Sequence, residues 1–258
     1  MINYIIKTLS KSWILAEMEV RKLVHDPTEL ISRALQPILW LGIFGEALNK
    51  IRAIPTQGYS YLQFITPGIL TQSVVFVAIF YGLYIIMDRD SGILQKFLVT
   101  PTPRLAFVWG RMISAGVPGL SQAIIIFIFA FILRIPLYLT FWSLLGVFLI
   151  IMLGAGFFTG LSMIIASIVK TRERFMGIGQ VITQPLFFAS NAIYPLSIMP
   201  GWLQVVARVN PLSYMVDGLR GLIVSGNMAQ LPLDISILAV ATLIISIISA
   251  WLYPKVVI

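Results

Sequence analysis

Cysteine is absent, histidine occurs once and charge is sparse, and each shortage closes off a class of chemistry. Without cysteine there are no disulfides and no thiolate metal sites, and the lone His25, beside Asp26, has no second imidazole with which to form a cluster. Only 10 residues are Asp or Glu, and three of them, Glu46, Asp217 and Asp234, are widely separated in the chain, so a convergent set for acid–base or metal-assisted catalysis is not expected. There is no Gly-Lys dipeptide, which excludes the phosphate-cradling loop that nucleotide hydrolysis of the P-loop kind requires. Lys7, Lys11, Glu17, Glu19, Arg21 and Lys22 interrupt the first two dozen residues, so no cleavable leader is read there and the first apolar run is expected to serve as its own signal.

Apolar residues dominate instead. They make up 59% of the chain and its mean hydropathy is +0.94, well above the roughly 45–50% of soluble domains. A bilayer-spanning helix needs about 20 apolar residues in succession, and six runs qualify as expected spans: residues 30–48, 61–87, 112–133, 141–168, 175–194 and 235–253. The expected fold is all-α, a single multi-pass membrane domain over residues 1–258 with no room left for a separate soluble domain.

Basic residues set the expected orientation. Of 18 Lys and Arg, only Lys50, Arg52, Arg134, Arg208 and Arg220 fall on one side of the six runs. The other thirteen fall at or near the side of the N-terminus, so both termini are expected in the cytoplasm and the chain in the plasma membrane. The net charge of +8 then reflects topology and attraction to anionic lipid, at about 1 kcal/mol per basic residue near the surface. No nucleic-acid partner is needed to explain it.

The segments between the runs carry the remaining information. Ile6, Leu9, Trp13, Ala16, Val20 and Leu23 recur at helical spacing, which predicts an amphipathic helix lying in the membrane interface over residues 1–27. Asp26, Pro27 and Glu29 read as cap, first residue and capping acid of the first span. Residues 88–100 predict a short cytoplasmic helix: Asp88, Arg89, Asp90 and Ser91 open it, Ile93, Leu94, Phe97 and Leu98 form its apolar face, and Pro101 and Pro103 stop it. Lys170, Thr171, Arg172, Glu173 and Arg174 form a second charged turn on that side. On the opposite side, Pro195, Pro200 and Pro211 divide a long connection into half-helices over residues 195–226, with Trp202 and Tyr214 suited to the headgroup region. The fifth run, carrying Pro185 and Asn191, is expected to end irregularly.

Within the runs, Gln72, Gln122 and Gln184 are the polar residues at mid-depth, read either as interhelical hydrogen-bonding groups or as lining of a pathway. An ion-coupled transporter working alone, or a channel, is the rival reading. The proton-carrying Asp, Glu or His that such coupling places near the midplane is not visible, since Glu46 and Arg111 lie near the ends of their runs and can reach headgroups. Gly156 and Gly160 are spaced for close helix packing.

The helix reading Asp-Ser-Gly-Ile-Leu-Gln-Lys-Phe-Leu-Val-Thr-Pro from Asp90, and the later run from Trp202-Leu203 through Asn210-Pro211-Leu212-Ser213-Tyr214 to Arg220, resemble the type-2 ABC exporter permeases. Within that family the chain resembles the daunorubicin-resistance drug-export branch, and the resemblance covers essentially the whole chain. It implies a permease that pairs with a second copy of itself and with two copies of a separate ATP-binding subunit. That assembly would export a hydrophobic or amphipathic molecule, drug-like or lipid, with polysaccharide as the other cargo class. ATP and Mg would be bound by the partner and no cofactor by this chain, which would not be an enzyme by itself. The resemblance assigns the ATPase-coupling helix to Asp88, Arg89, Asp90, Gly92, Leu94, Gln95, Lys96 and Phe97, with a second contact at Lys170, Arg172, Glu173 and Arg174. It places a cover over the outer exit at residues 195–226, including Trp202, Asn210, Pro211, Tyr214 and Arg220, next to Asn191 and Tyr194.

Overall fold

A computed structural model describes residues 27–51, 55–56, 58–92, 104–169 and 171–253, together with Glu17 and Arg21. Regular structure among the described residues is all helical. Most of residues 1–27, where an interfacial helix is expected, and most of the segment 88–100 lie outside the described residues.

Helix α1 (Pro27–Leu39) runs through a π-helical turn, Trp40–Gly45, into α2 (Glu46–Ile51). Helix α3 (Tyr61–Asp90) starts in a reciprocal cap: the Ser60 hydroxyl accepts from the Gln63 amide N–H, and the Gln63 side chain accepts from the Ser60 amide N–H at 3.0 Å. Two of its donors are thereby satisfied at a point where the chain leaves water. Helix α4 (Arg104–Ile132) ends in a tight reversal in which Arg134 adopts a left-handed φ of 55° and the Ile135 N–H returns to the Ala130 carbonyl at 2.9 Å. Helix α5 (Phe141–Ile168) is capped by Thr140 and α6 (Arg172–Phe188) by Thr171. Past α6 come a turn over residues 189–194, a 3₁₀ turn Leu196–Ile198, α7 (Gly201–Val209) and α8 (Pro211–Arg220). A π-helical turn, Gly221–Ser225, then leads into α9 (Leu231–Leu252).

Four of these helices, α3, α4, α5 and α9, are long and apolar enough to cross a bilayer, making this a multi-pass membrane protein. The other two expected spans take different form. Residues 30–48 fall in a helix interrupted by the π-turn. Of residues 175–194, those up to Phe188 fall in α6, which starts earlier, at Arg172; with Pro185 inside, its 17 residues reach only about 26 Å at 1.5 Å per residue. Ser190 helps to end it, because its hydroxyl turns back to the Phe187 carbonyl at 2.6 Å.

Helix α5 is the hub, packed along α3, α4 and α9. Burial grades outward: 78% of the most apolar stretch of α3 is covered, against 22% for α9, whose Val240, Leu243, Ile244, Ile247 and Trp251 face outward. Hydroxyls fasten the hub to its neighbours. Ser249 donates to the Gly160 carbonyl at 2.9 Å, Thr242 to Leu153 at 3.1 Å and Ser162 to Ile79, a bond type worth about 0.6–2 kcal/mol within a bilayer. Gly156 and Gly160 sit where Thr242, Ile245 and Met112 press against α5, so their glycine character serves packing. Helix α6 packs mainly on α3 and, more lightly, on α5, with Phe187 also meeting Trp40 of the π-turn.

The bundle has two unlike ends. One holds Asp90, Arg111 and Arg172 and is called the charged end below. The other holds Tyr61 and Phe141 under the segment 195–226 and is called the capped end.

Candidate functional site

The side chains with chemistry gather in three places. The first is a shallow, partly open groove between α3 and α6. Along α3, Gln72, Phe76, Ile79 and Phe80 follow one another at i, i+4, i+7 and i+8, which is one face of a helix. Along α6, Phe175, Met176, Gly179, Gln180, Thr183 and Gln184 do the same. Phe175 reaches the Cα position of Gly82 and Ile79 reaches that of Gly179, so the antiparallel register brings Gln72 near the level of Gln184. The groove is therefore graded, with amides toward its capped-end half and Phe80, Phe175 and Met176 toward the charged end. Phe76 and Phe80 lie 4.7 Å apart between ring centroids. None of the lining residues is charged.

Gln122 belongs elsewhere. It is fully buried in α4, and neither atom of its carboxamide has a hydrogen-bond partner. The three glutamines that look alike in sequence thus separate into two that share a groove and one orphaned in the interior.

The second cluster closes the charged end. Asp88, at the end of α3, forms an ion pair with Arg111 of α4, both largely buried. The Arg111 guanidinium lies 5.4 Å from the Phe107 ring centroid, and that ring packs against Tyr253 at 4.9 Å. This corrects the expectation that Arg111 reaches headgroups: the nearby acid offers a charge-assisted partner at shorter range. Arg89 donates to Asp90 at 2.9 Å, and Asp90 also pairs with Arg172 of α6 at 3.4 Å. Gly92 turns with a φ of 72°. Leu94, Gln95, Lys96, Phe97 and Lys170 lie outside the described residues, while Glu173 and Arg174 are exposed.

The third cluster is at the capped end. The guanidinium of Arg220 lies 3.9 Å above the Phe64 ring centroid, close enough for a cation–π contact. Its Nη2 donates to the Asn191 carbonyl at 2.8 Å and to the Phe64 carbonyl at 3.4 Å, and its Nη1 pairs with Asp217 at 3.3 Å. The Asn191 side-chain amide donates to Asp217 at 2.5 Å. Burial pushes the Asp217 carboxyl up, opposed by Arg220 and by the Asn191 hydrogen bond, and burial pushes the Arg220 guanidinium down to about 10. Asp234 is only 4% exposed, and its carboxylate lies against Gly218. The fold therefore brings Asp217 and Asp234, far apart in the chain, to one locality.

Asn210 caps α8, accepting from the Leu212 N–H at 3.0 Å while donating to the Leu186 carbonyl at 2.7 Å, and Pro211 takes the first helical position, where no N–H is needed. The Tyr214 hydroxyl donates to the Arg208 carbonyl at 2.6 Å and that of Tyr194 to the Phe188 carbonyl. Trp202 stays 70% exposed.

Sequence reasoning missed Phe76, Phe80, Gln180 and Thr183 as groove residues, and Arg111 as a partner of Asp88. A periodicity signal was present, because each helix places amide and aromatic residues three and four apart on one face. Among the described residues, no three His, Cys, Asp or Glu converge to hold a metal ion.

Comparison with known proteins gives this arrangement a context. The family model described as ABC-2 type transporter matches residues 11–224. The transport permease ycf38 of Cyanophora paradoxa is 32% identical over 214 residues, which cover 82% of this chain and 73% of that protein. The daunorubicin resistance ABC transporter permease protein DrrB1 of Streptomyces coeruleorubidus is 24% identical over 77% of this chain and 69% of its own length. The inner membrane transport permease YadH of Escherichia coli K12 is 24% identical over 74% of this chain and 73% of its own.

Proposed function

Because the chain belongs to the ABC-2 type transporter family, we propose that it is the membrane subunit of an ATP-driven exporter. Two copies of it act with two copies of a separate ATP-binding subunit, and their cargo is a hydrophobic or amphipathic molecule, drug-like or lipid. In this reading the charged end and both termini face the cytoplasm, the capped end faces outward, and the complex resides in the plasma membrane.

The groove between α3 and α6 is the observation that carries the reading. Aromatic and thioether groups supply apolar contact for a cargo body, while Gln72, Gln180 and Gln184 offer hydrogen bonds at a depth where a polar group is otherwise expensive to place. A lining without charge gives weak binding that a state-dependent difference of a few kcal/mol can reverse. It also disfavours an ion-coupled cycle, which needs a titratable group on the route. A long polar glycan fits a largely apolar lining less well than an amphipath does.

Energy enters at the charged end. Residues 88–100 take the push of the ATP-binding subunit; the Asp88–Arg111 and Asp90–Arg172 pairs pass it to α4 and α6, and the move of α6 against α3 alters the groove. The membrane chain itself orients cargo and excludes water, and hydrolysis belongs to the partner.

The test is to purify the tagged chain from its own membrane in mild detergent, identify co-purifying chains by mass spectrometry and assay vanadate-sensitive ATP hydrolysis. A stoichiometric ATP-binding subunit with activity is expected. In the reconstituted complex, Gln72→Leu together with Gln184→Leu should raise the KM for cargo-stimulated hydrolysis several-fold, and Lys96→Glu should lower cargo moved per ATP while leaving basal hydrolysis in place. A chain that purifies alone and inactive under several mild conditions would overturn the proposal.

A further inference from the structure

The capped-end cluster has properties that packing alone does not require. Its bonds join three parts of the fold: the outer turn of α3 through the Phe64 carbonyl and ring, the turn after α6 through Asn191, and α8 through Asp217 and Arg220. The two charges sit three residues apart on the same helix and pair with each other. If α8 withdrew, both charges would leave together, and no ion would be stranded on α3 or on the turn. The partners left behind are neutral, the two carbonyl oxygens and the Asn191 amide.

The closed arrangement is also incompletely satisfied. Ser213 Oγ, Asn191 Oδ1 and Arg220 Nε are buried without any hydrogen-bond partner. Ser213 and Asp217 are four residues apart and Arg220 three further on, so these groups lie on one face of α8. Buried polar atoms without partners favour any alternative in which water reaches them. The same helix is bounded by breaks in regular α-structure: the Asn210–Pro211 junction before it, and after it the Gly221–Ser225 π-turn ending at Gly226 with a left-handed φ of 66°.

We propose that Arg220 is the positioning residue of a reversible latch, which holds α8 against α3 and the turn after α6 and whose release opens the capped end of the bundle. Naming that opening the cargo exit rests on the proposed function above; the existence of the latch does not.

The absence of native cysteine provides a clean test. Ser213→Cys replaces a hydroxyl that makes no hydrogen bond and sits 4% exposed. The full-length protein in lipid nanodiscs is treated with a water-soluble cationic methanethiosulfonate, and the rate of labelling is followed by mass spectrometry. Against the Arg220 parent, Arg220→Met should label at least tenfold faster, with Arg220→Lys in between because a cation returns without the planar fork. Phe64→Leu, which keeps the carbonyl acceptor and removes the ring beneath the guanidinium, should label two- to fivefold faster and decides the matter if Arg220→Met does not fold. Equal rates in the parent and in the folded variants would overturn the latch. The readout uses neither ATP nor cargo, so fast labelling in a chain that joins no exporter would sink the proposed function alone. Unchanged labelling in a working exporter would sink the latch alone.

Discussion

The two ends of the bundle hold their helices together with ion pairs of opposite design. At the charged end two pairs link different helices, Asp88 of α3 to Arg111 of α4 and Asp90 of α3 to Arg172 of α6, beside the Arg89–Asp90 pair within α3. At the capped end Asp217 and Arg220 share one helix, and the groups they bond on α3 and the turn after α6 are neutral, the Phe64 and Asn191 carbonyls and the Asn191 amide. A pair that spans two helices resists their separation, because parting would strand two charges. One carried on a single helix permits separation. The first design suits the transmission of force and the second suits a part that must let go.

This contrast can be broken by substitution. The largest effect is expected from Arg220→Met, which removes the cation over the Phe64 ring, the donor to the Asn191 and Phe64 carbonyls and the ion-pair partner of Asp217. The loss should be about 3 kcal/mol, seen as a lower melting temperature in detergent, and adding Asp217→Asn should recover part of it. Gly68→Leu should follow, at about 2–3 kcal/mol, because even a Cβ there runs into the Ala192 carbonyl of the turn that seats Asn191. Arg111→Gln should cost about 2 kcal/mol by leaving Asp88 unpaired. Unlike the capped-end variants it should be rescued by exchanging the two charges, Asp88→Arg with Arg111→Asp, because that pair works across helices.

Smaller changes sharpen the picture. Gln122→Met should be neutral or stabilising by about 1 kcal/mol, since it removes an amide that has no partner; a clear loss of melting temperature would show that the amide is engaged. Arg172→Gln should matter least for stability, below about 1 kcal/mol and vanishing in high salt, because its pair with Asp90 is 47% and 40% exposed.

Much of the architecture was legible in the chain. Long apolar runs without charge have few alternatives to the membrane-crossing helix, and the runs at α3, α4, α5 and α9 appear as such helices, with α5 bounded at the expected residues. The run over residues 175–194 was misjudged in length because hydropathy does not register a hydroxyl that turns back on the helix, as Ser190 does. Arg111 was misplaced because nearness to the end of a run suggests headgroup contact, whereas its partner Asp88 is 23 residues away in the chain. The glutamines show the limit most sharply. Composition and depth made Gln72, Gln122 and Gln184 equivalent, and nothing short of the register between α3 and α6 could separate them.

Composition and pattern by themselves determined that this chain lies in a membrane and that its body is helical, because transfer free energy is a property of residues taken singly or in short runs. Only the tertiary structure decided which residues meet. It put two glutamines in a groove and left one orphaned, set Arg111 on Asp88, and folded Arg220 over Phe64 from 156 positions away. Such meetings depend on how helices are rotated and offset against one another, and that is settled by the packing of the whole bundle.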